Sequence, residues 1–81
     1  QAVAQDSRGR LYVFQNTRPE SKVKDAVTVF DRRGKFVKSW GPQFAPGAHG
    51  IQIRREGAGE FCYLCDTTRR TLTKTDLDGT V

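Results

Sequence analysis

Much that would announce a function is scarce in this chain. Its 81 residues hold one histidine, one tryptophan and two cysteines, and no apolar run approaches the roughly 18 residues that a membrane-spanning helix requires. No basic start leads into an apolar core, so no signal-peptide pattern is visible. The run Gly57-Ala58-Gly59 is followed by neither Lys-Ser/Thr nor a helical pattern, which makes it a turn rather than a phosphate cradle. Ser7, Ser21 and Ser39 have no nucleophile-elbow context, which disfavours a serine hydrolase. A single imidazole, His49, cannot by itself supply the three protein ligands that a catalytic zinc commonly takes.

The two cysteines form Cys62-Tyr63-Leu64-Cys65, a spacing that elsewhere marks redox pairs or half of a zinc site. Here the flanking residues read as a strand. Residues three apart on a strand face opposite ways and lie about 10 Å apart at about 3.3 Å per residue, whereas a disulfide tolerates roughly 7 Å between Cα atoms. Two small, buried, unpaired side chains are therefore expected.

What is present is β-strand pattern, and nearly the same pattern twice. Alternating and β-rich stretches bounded by turn residues predict strands at 2–6, 11–16, 26–31, 36–40, 49–54, 61–65 and 71–76. The turn Asp31-Arg32-Arg33-Gly34 is matched by Asp76-Leu77-Asp78-Gly79, with Gly34 and Gly79 45 positions apart; Leu11 and Phe61 stand 50 apart. Periods of about 40 to 50 residues with four short strands each are the mark of propeller blades. The expected fold is all-β: two consecutive four-stranded antiparallel blades of a propeller, 1–41 and 42–81, the second lacking most of its outer strand, with Val81 at that strand's start. Leu11 and Val13 on one side of their strand and Tyr12 and Phe14 on the other are all apolar, so both sides are expected to be covered. Repeat units of this size need neighbours, and a chain this short buries only about 60% of its unfolded surface. The expected partners are accordingly further blades of the same propeller or copies of the chain itself.

Fourteen Lys and Arg against nine Asp and Glu leave a net charge of +5. The cations divide between the two ends of the strands. Arg8, Arg10, Arg32, Arg33 and Lys35 fall in the tight turns, while Arg18, Lys22, Lys24, Arg69 and Arg70 fall in the loops at the other end. That split argues against one concentrated nucleic-acid footprint, and the loops lack aromatics interleaved for base stacking. Asp31, Asp76 and Asp78 are expected to hydrogen-bond their own turns, and Trp40 to pack between blades.

The strings VAQDSRGRLYVF, VTVFDRRGKFVKSWG, AHGI before a strand, Asp66-Thr67-Thr68-Arg69 and DLDG together resemble NHL repeats, units of a propeller usually built from six blades. The likeness spans essentially the whole chain, although Arg54-Arg55-Glu56 replaces the acidic start of the turn held by Asp6 in the first repeat. NHL propellers include enzymes and protein or RNA binders, so the resemblance implies an architecture more than an activity. Among them, the peptidyl-alpha-hydroxyglycine alpha-amidating lyases are similar around His49-Gly50-Ile51, where a histidine before an apolar strand supplies one zinc-binding imidazole per contributing blade. The resemblance implies His49 as a metal ligand, with zinc held only if other blades or other copies add ligands. Arg18, Arg69 and Arg70 share that end of the strands and are candidates to hold an anionic group of a small molecule or peptide. The rival expectation is a non-enzymatic propeller that binds protein or RNA through its loops.

Overall fold

The computed structural model describes residues 2–15, 25–44, 48–67 and 69–81. These form seven strands: β1 (Ala2–Gln5), β2 (Leu11–Phe14), β3 (Val27–Phe30), β4 (Phe36–Trp40), β5 (Ala48–Glu56), β6 (Gly59–Asp66) and β7 (Thr71–Thr75). A single 3-10 turn, Pro42–Phe44, links the halves. No helix among the described residues is long and apolar enough to cross a membrane. The strands make two antiparallel sheets, ordered β1-β2-β3-β4 and β5-β6-β7. Five of the seven strands match their expected positions closely. The exception is the β5–β6 hairpin, whose strands extend further toward each other and meet at a two-residue turn, Gly57-Ala58, with Gly57 at φ +63°. A positive φ at the first central position suits the twist of a tight hairpin. Val81 is exposed and lies outside any strand.

One turn design recurs three times. In Asp6-Ser7-Arg8-Gly9-Arg10, Asp31-Arg32-Arg33-Gly34-Lys35 and Asp76-Leu77-Asp78-Gly79-Thr80, the aspartate Oδ1 accepts from the backbone N–H groups two and four residues on. The fourth residue is glycine at φ +86°, +83° and +89° respectively. That left-handed conformation is open to glycine at little steric cost, and the carboxylate satisfies the turn's donors. Asp31 and Asp76 thus act as expected. Asp78 does not cap a turn; its carboxylate pairs with Lys38 on the other sheet.

The sheets lie face to face, with β1 against β5 as their closest pair of strands. Side chains alternate across each strand. Tyr12, Phe14, Val27, Val29 and Trp40 therefore turn from the first sheet onto Ile51, Cys62 and Leu64 from the second, and these with Ala26 and Phe44 form the core. Trp40 packs between the sheets. It meets Phe44 edge-on at 6.4 Å and lies over Gly79, where a Cβ would come within 2.5 Å of its ring. Its indole Nε1 is buried without a hydrogen-bond partner among the described residues. Polar contacts join the sheets at the turn end: Ser7 Oγ donates to Glu60 Oε1 at 2.6 Å, and Lys38 pairs with Asp78.

Among the described residues, only one side of each sheet is covered by the other sheet. Tyr12 and Phe14 are fully buried, but on the other side of β2 Leu11 is 38% exposed and Val13 half-buried. Full coverage of that strand was expected; a single neighbouring sheet can cover one face only. The remaining face carries Val3, Leu11, Val13 and Phe30, and the outer face of the second sheet carries Phe61, Tyr63, Cys65 and Leu72.

Candidate functional site

The site candidates gather at the strand ends opposite the tight turns. Cross-strand pairing of Ala48 with Asp66 and of Asp66 with Thr71 places the start of β5 beside the β6–β7 connection. The ladder shifts register between Ala48 and Gly50, so His49 sits on a bulge and its side chain is exposed. A bulge re-aims the side chain it carries and occurs often beside functional sites. No histidine, cysteine or carboxylate group among the described residues assembles into a set of three able to hold a metal ion.

The β6–β7 connection is built on Asp66, which is 4% exposed. Its Oδ1 accepts the backbone N–H of Arg69 at 2.9 Å, and its Oδ2 accepts Arg69 Nη1 at 2.6 Å. One side of the Arg69 guanidinium therefore holds the turn in place, while the side chain remains 45% exposed. Arg70 follows at φ +54°, the only described non-glycine residue in the left-handed region, and is exposed. A non-glycine residue there is uncommon. Arg18 lies outside the described residues, as do Lys22 and Lys24. The structure thus brings His49, Arg69 and Arg70 to one end of the second sheet.

The opposite end holds a cleft that the sequence reading did not single out. It has a volume of about 430 Å³ and lies between the sheets, lined by Arg8, Arg10, Lys38, Arg55, Glu60 and Asp78 among others. Part of its charge is matched: Arg10 Nε donates to Asp6 Oδ2 at 2.9 Å and Lys38 pairs with Asp78, while Glu60 accepts hydrogen bonds from Ser7. The Lys38 ammonium holds Asp78 below the usual carboxylate range. This arrangement makes a polar joint between the sheets. The sequence signal for it was the second aspartate of Asp76-Leu77-Asp78, which the turn itself does not use.

The cysteines face opposite ways and stay unpaired as the strand geometry predicts, but burial of both was expected and Cys65 is only half-buried, because the outer face of its sheet has no covering sheet among the described residues. Cys62 is buried in the core, Cys65 points to the outer face, and neither is in a disulfide. Burial pushes the Cys62 thiol up to about 11, which leaves it a poor nucleophile near neutral pH.

Comparison with protein-family models, with curated proteins and with solved structures finds no match to this chain.

Proposed function

We propose that the two sheets are consecutive blades, 1–41 and 42–81, of an NHL-like propeller whose channel mouth, at the end bearing His49, binds a small molecule or peptide through an anionic group. The observation that carries this reading is the bulge at Ala48–Gly50, which exposes the only imidazole beside the turn that presents Arg70. β1 and β5, the strands nearest each other across the sheets, are those that would line a central channel. An exposed imidazole and an exposed guanidinium are suited to a carboxylate or phosphate, the guanidinium through bidentate hydrogen bonds.

A lyase-like form of this site would use zinc, and one copy of the chain does not fit that requirement. His49 is a single ligand, so a zinc site needs imidazoles or carboxylates from other blades or other copies. Zinc held there would polarise a substrate oxygen. The rival reading is a non-enzymatic protein-binding propeller, favoured by the apolar faces left open on both sheets; the described loop at Arg69–Arg70 offers no aromatic for RNA.

Because His49 is the only histidine, its ring protons report on the site without overlap in a proton NMR spectrum. Titration with inorganic phosphate, acetate or a short peptide carrying a free C-terminus should shift them saturably, and Arg70→Gln should weaken the response. A parallel zinc titration tests the metal form: stoichiometric broadening at His49 in an assembled species supports it. No saturable shift with any of these probes would contradict binding at this end.

A further inference from the structure

The two faces left open are not arbitrary surfaces, because the repeat relates each of them to one that is buried. The matching turns align Gly34 with Gly79, hence β3 with β7, Val29 with Lys74 and Val27 with Leu72. Val29 pairs with Tyr12 and Lys74 with Tyr63. Tyr12 therefore corresponds to Tyr63, Phe14 to Cys65, Leu11 to Cys62 and Val13 to Leu64. Continuing to the first strands, Tyr12 pairs with Ala4 and Tyr63 with Gln52, which matches Val3 to Ile51. On this register the buried face of the first sheet is the counterpart of the open face of the second. The buried face of the second sheet is likewise the counterpart of the open face of the first.

The joint inside the molecule is therefore made of two unlike surfaces, and each unlike surface recurs uncovered. A contact of this kind does not close on itself in a pair; it propagates, into a ring if the rotation closes and into an open series if it does not. We propose that copies of this chain associate head to tail, the open β5–β7 face of one copy seating on the open β1–β4 face of the next. Val3 is 54% exposed, Leu11 38% and Leu72 69%, and their counterparts Ile51, Cys62 and Val27 are buried. Gly34 repeats the point. It shares the conformation of Gly79, which Trp40 covers, yet nothing lies within 4 Å of where its Cβ would be. Two substitutions weaken the open face: Phe14 is replaced by the smaller Cys65, and Val29 by Lys74, whose ammonium pairs with Glu56 and lies 4.3 Å from the Phe61 ring centre. The association is accordingly weaker than the internal joint.

This inference rests on the repeat reading of the two sheets and on no property of His49, so its failure would leave the anion site at the other end to stand or fall separately. Sedimentation velocity over a concentration series, with Trp40 fluorescence and circular dichroism to confirm folding, provides the test. The wild-type chain should form species beyond a dimer as concentration rises. Leu11→Glu blocks one face and Leu72→Glu the other; each variant alone should be monomeric, and their equimolar mixture should give a dimer and nothing larger. If either substitution unfolds the chain, Val3→Glu and Gln52→Glu, both at exposed positions, take their places. A wild-type chain that stays monomeric, folded or not, overturns the proposal. So does a single-face variant that still dimerises alone, which would show like binding like, and so does a mixture that fails to associate.

Discussion

Asp6 shows how much one side chain carries in a small β molecule. It is 6% exposed, and its carboxylate accepts from the backbone of Arg8 and Arg10, from Arg10 Nε and from the Tyr12 hydroxyl. Burial alone would raise its pKa; hydrogen bonds from the Arg10 backbone, Tyr12, the Arg10 side chain and the Arg8 backbone outweigh that and hold it below 3.8. Burial, then the bond to Asp6, pushes Tyr12 well above its ordinary value. Replacing Asp6 with Ala strands a buried hydroxyl and a partly buried guanidinium, and should cost about 3 kcal/mol in urea unfolding at neutral pH. Since the folded state depresses the Asp6 pKa, its contribution is full above the ordinary value of 3.8 and is lost as pH falls through the lower folded value. The gap between wild type and Asp6→Ala should therefore close on acidification below that point. At the cysteines, a thiol-alkylating reagent should modify Cys65 well before Cys62, and mild oxidation should yield no bridge between them, checked by intact mass. Rapid modification of Cys62 in the folded chain would contradict its place in the core.

The elements were largely legible in the sequence, and the faces were not. Strand positions emerge from alternation and from three turns in which aspartate and a left-handed glycine stand three apart. Aligning Leu11 with Phe61 is natural by eye, but the ladders align Tyr12 with Tyr63, a slip of one residue. The match is set by pairing with the third strands, Tyr12 with Val29 and Tyr63 with Lys74, which resemblance within LYVF and FCYL does not show. Because strand side chains alternate, one residue of slip exchanges the buried face for the open one. The bulge that exposes His49 was equally hidden, since nothing in Ala48-His49-Gly50 marks a register shift. The cross-sheet pairing of Lys38 with Asp78 joins residues 40 positions apart, which local pattern cannot reveal. The repeated turns offer a clean comparison at this scale. Ala at Gly34 or Gly79 forces a left-handed side-chain residue, at about 1–2 kcal/mol; at Gly79 it also meets the Trp40 ring. Gly79→Ala should lower the urea midpoint more than Gly34→Ala and perturb Trp40 fluorescence, while Gly34→Ala leaves the emission unchanged. Equal losses would place Trp40 elsewhere.

At the scale of the whole molecule, the described residues form one joint between two antiparallel sheets, and the proposed association would repeat that joint between copies. Its core draws on one face of each sheet, and exposed Val3, Leu11 and Leu72 on the other faces form apolar surface that monomers rarely leave open. The anion site proposed at His49 and Arg70 sits at one end of this joint, and the matched charges of Asp6, Arg10, Lys38 and Asp78 brace the other. Association that covers the open faces stabilises the folded state by mass action, so stability becomes a function of concentration. Trp40, the only tryptophan, lies in the internal joint and reports its loss. Urea unfolding followed by Trp40 fluorescence at increasing protein concentration is therefore the most direct measurement. A wild-type midpoint that climbs with concentration, while those of Leu11→Glu and Leu72→Glu alone stay constant, is the predicted result; a cooperative wild-type transition whose midpoint is the same at every concentration would contradict it.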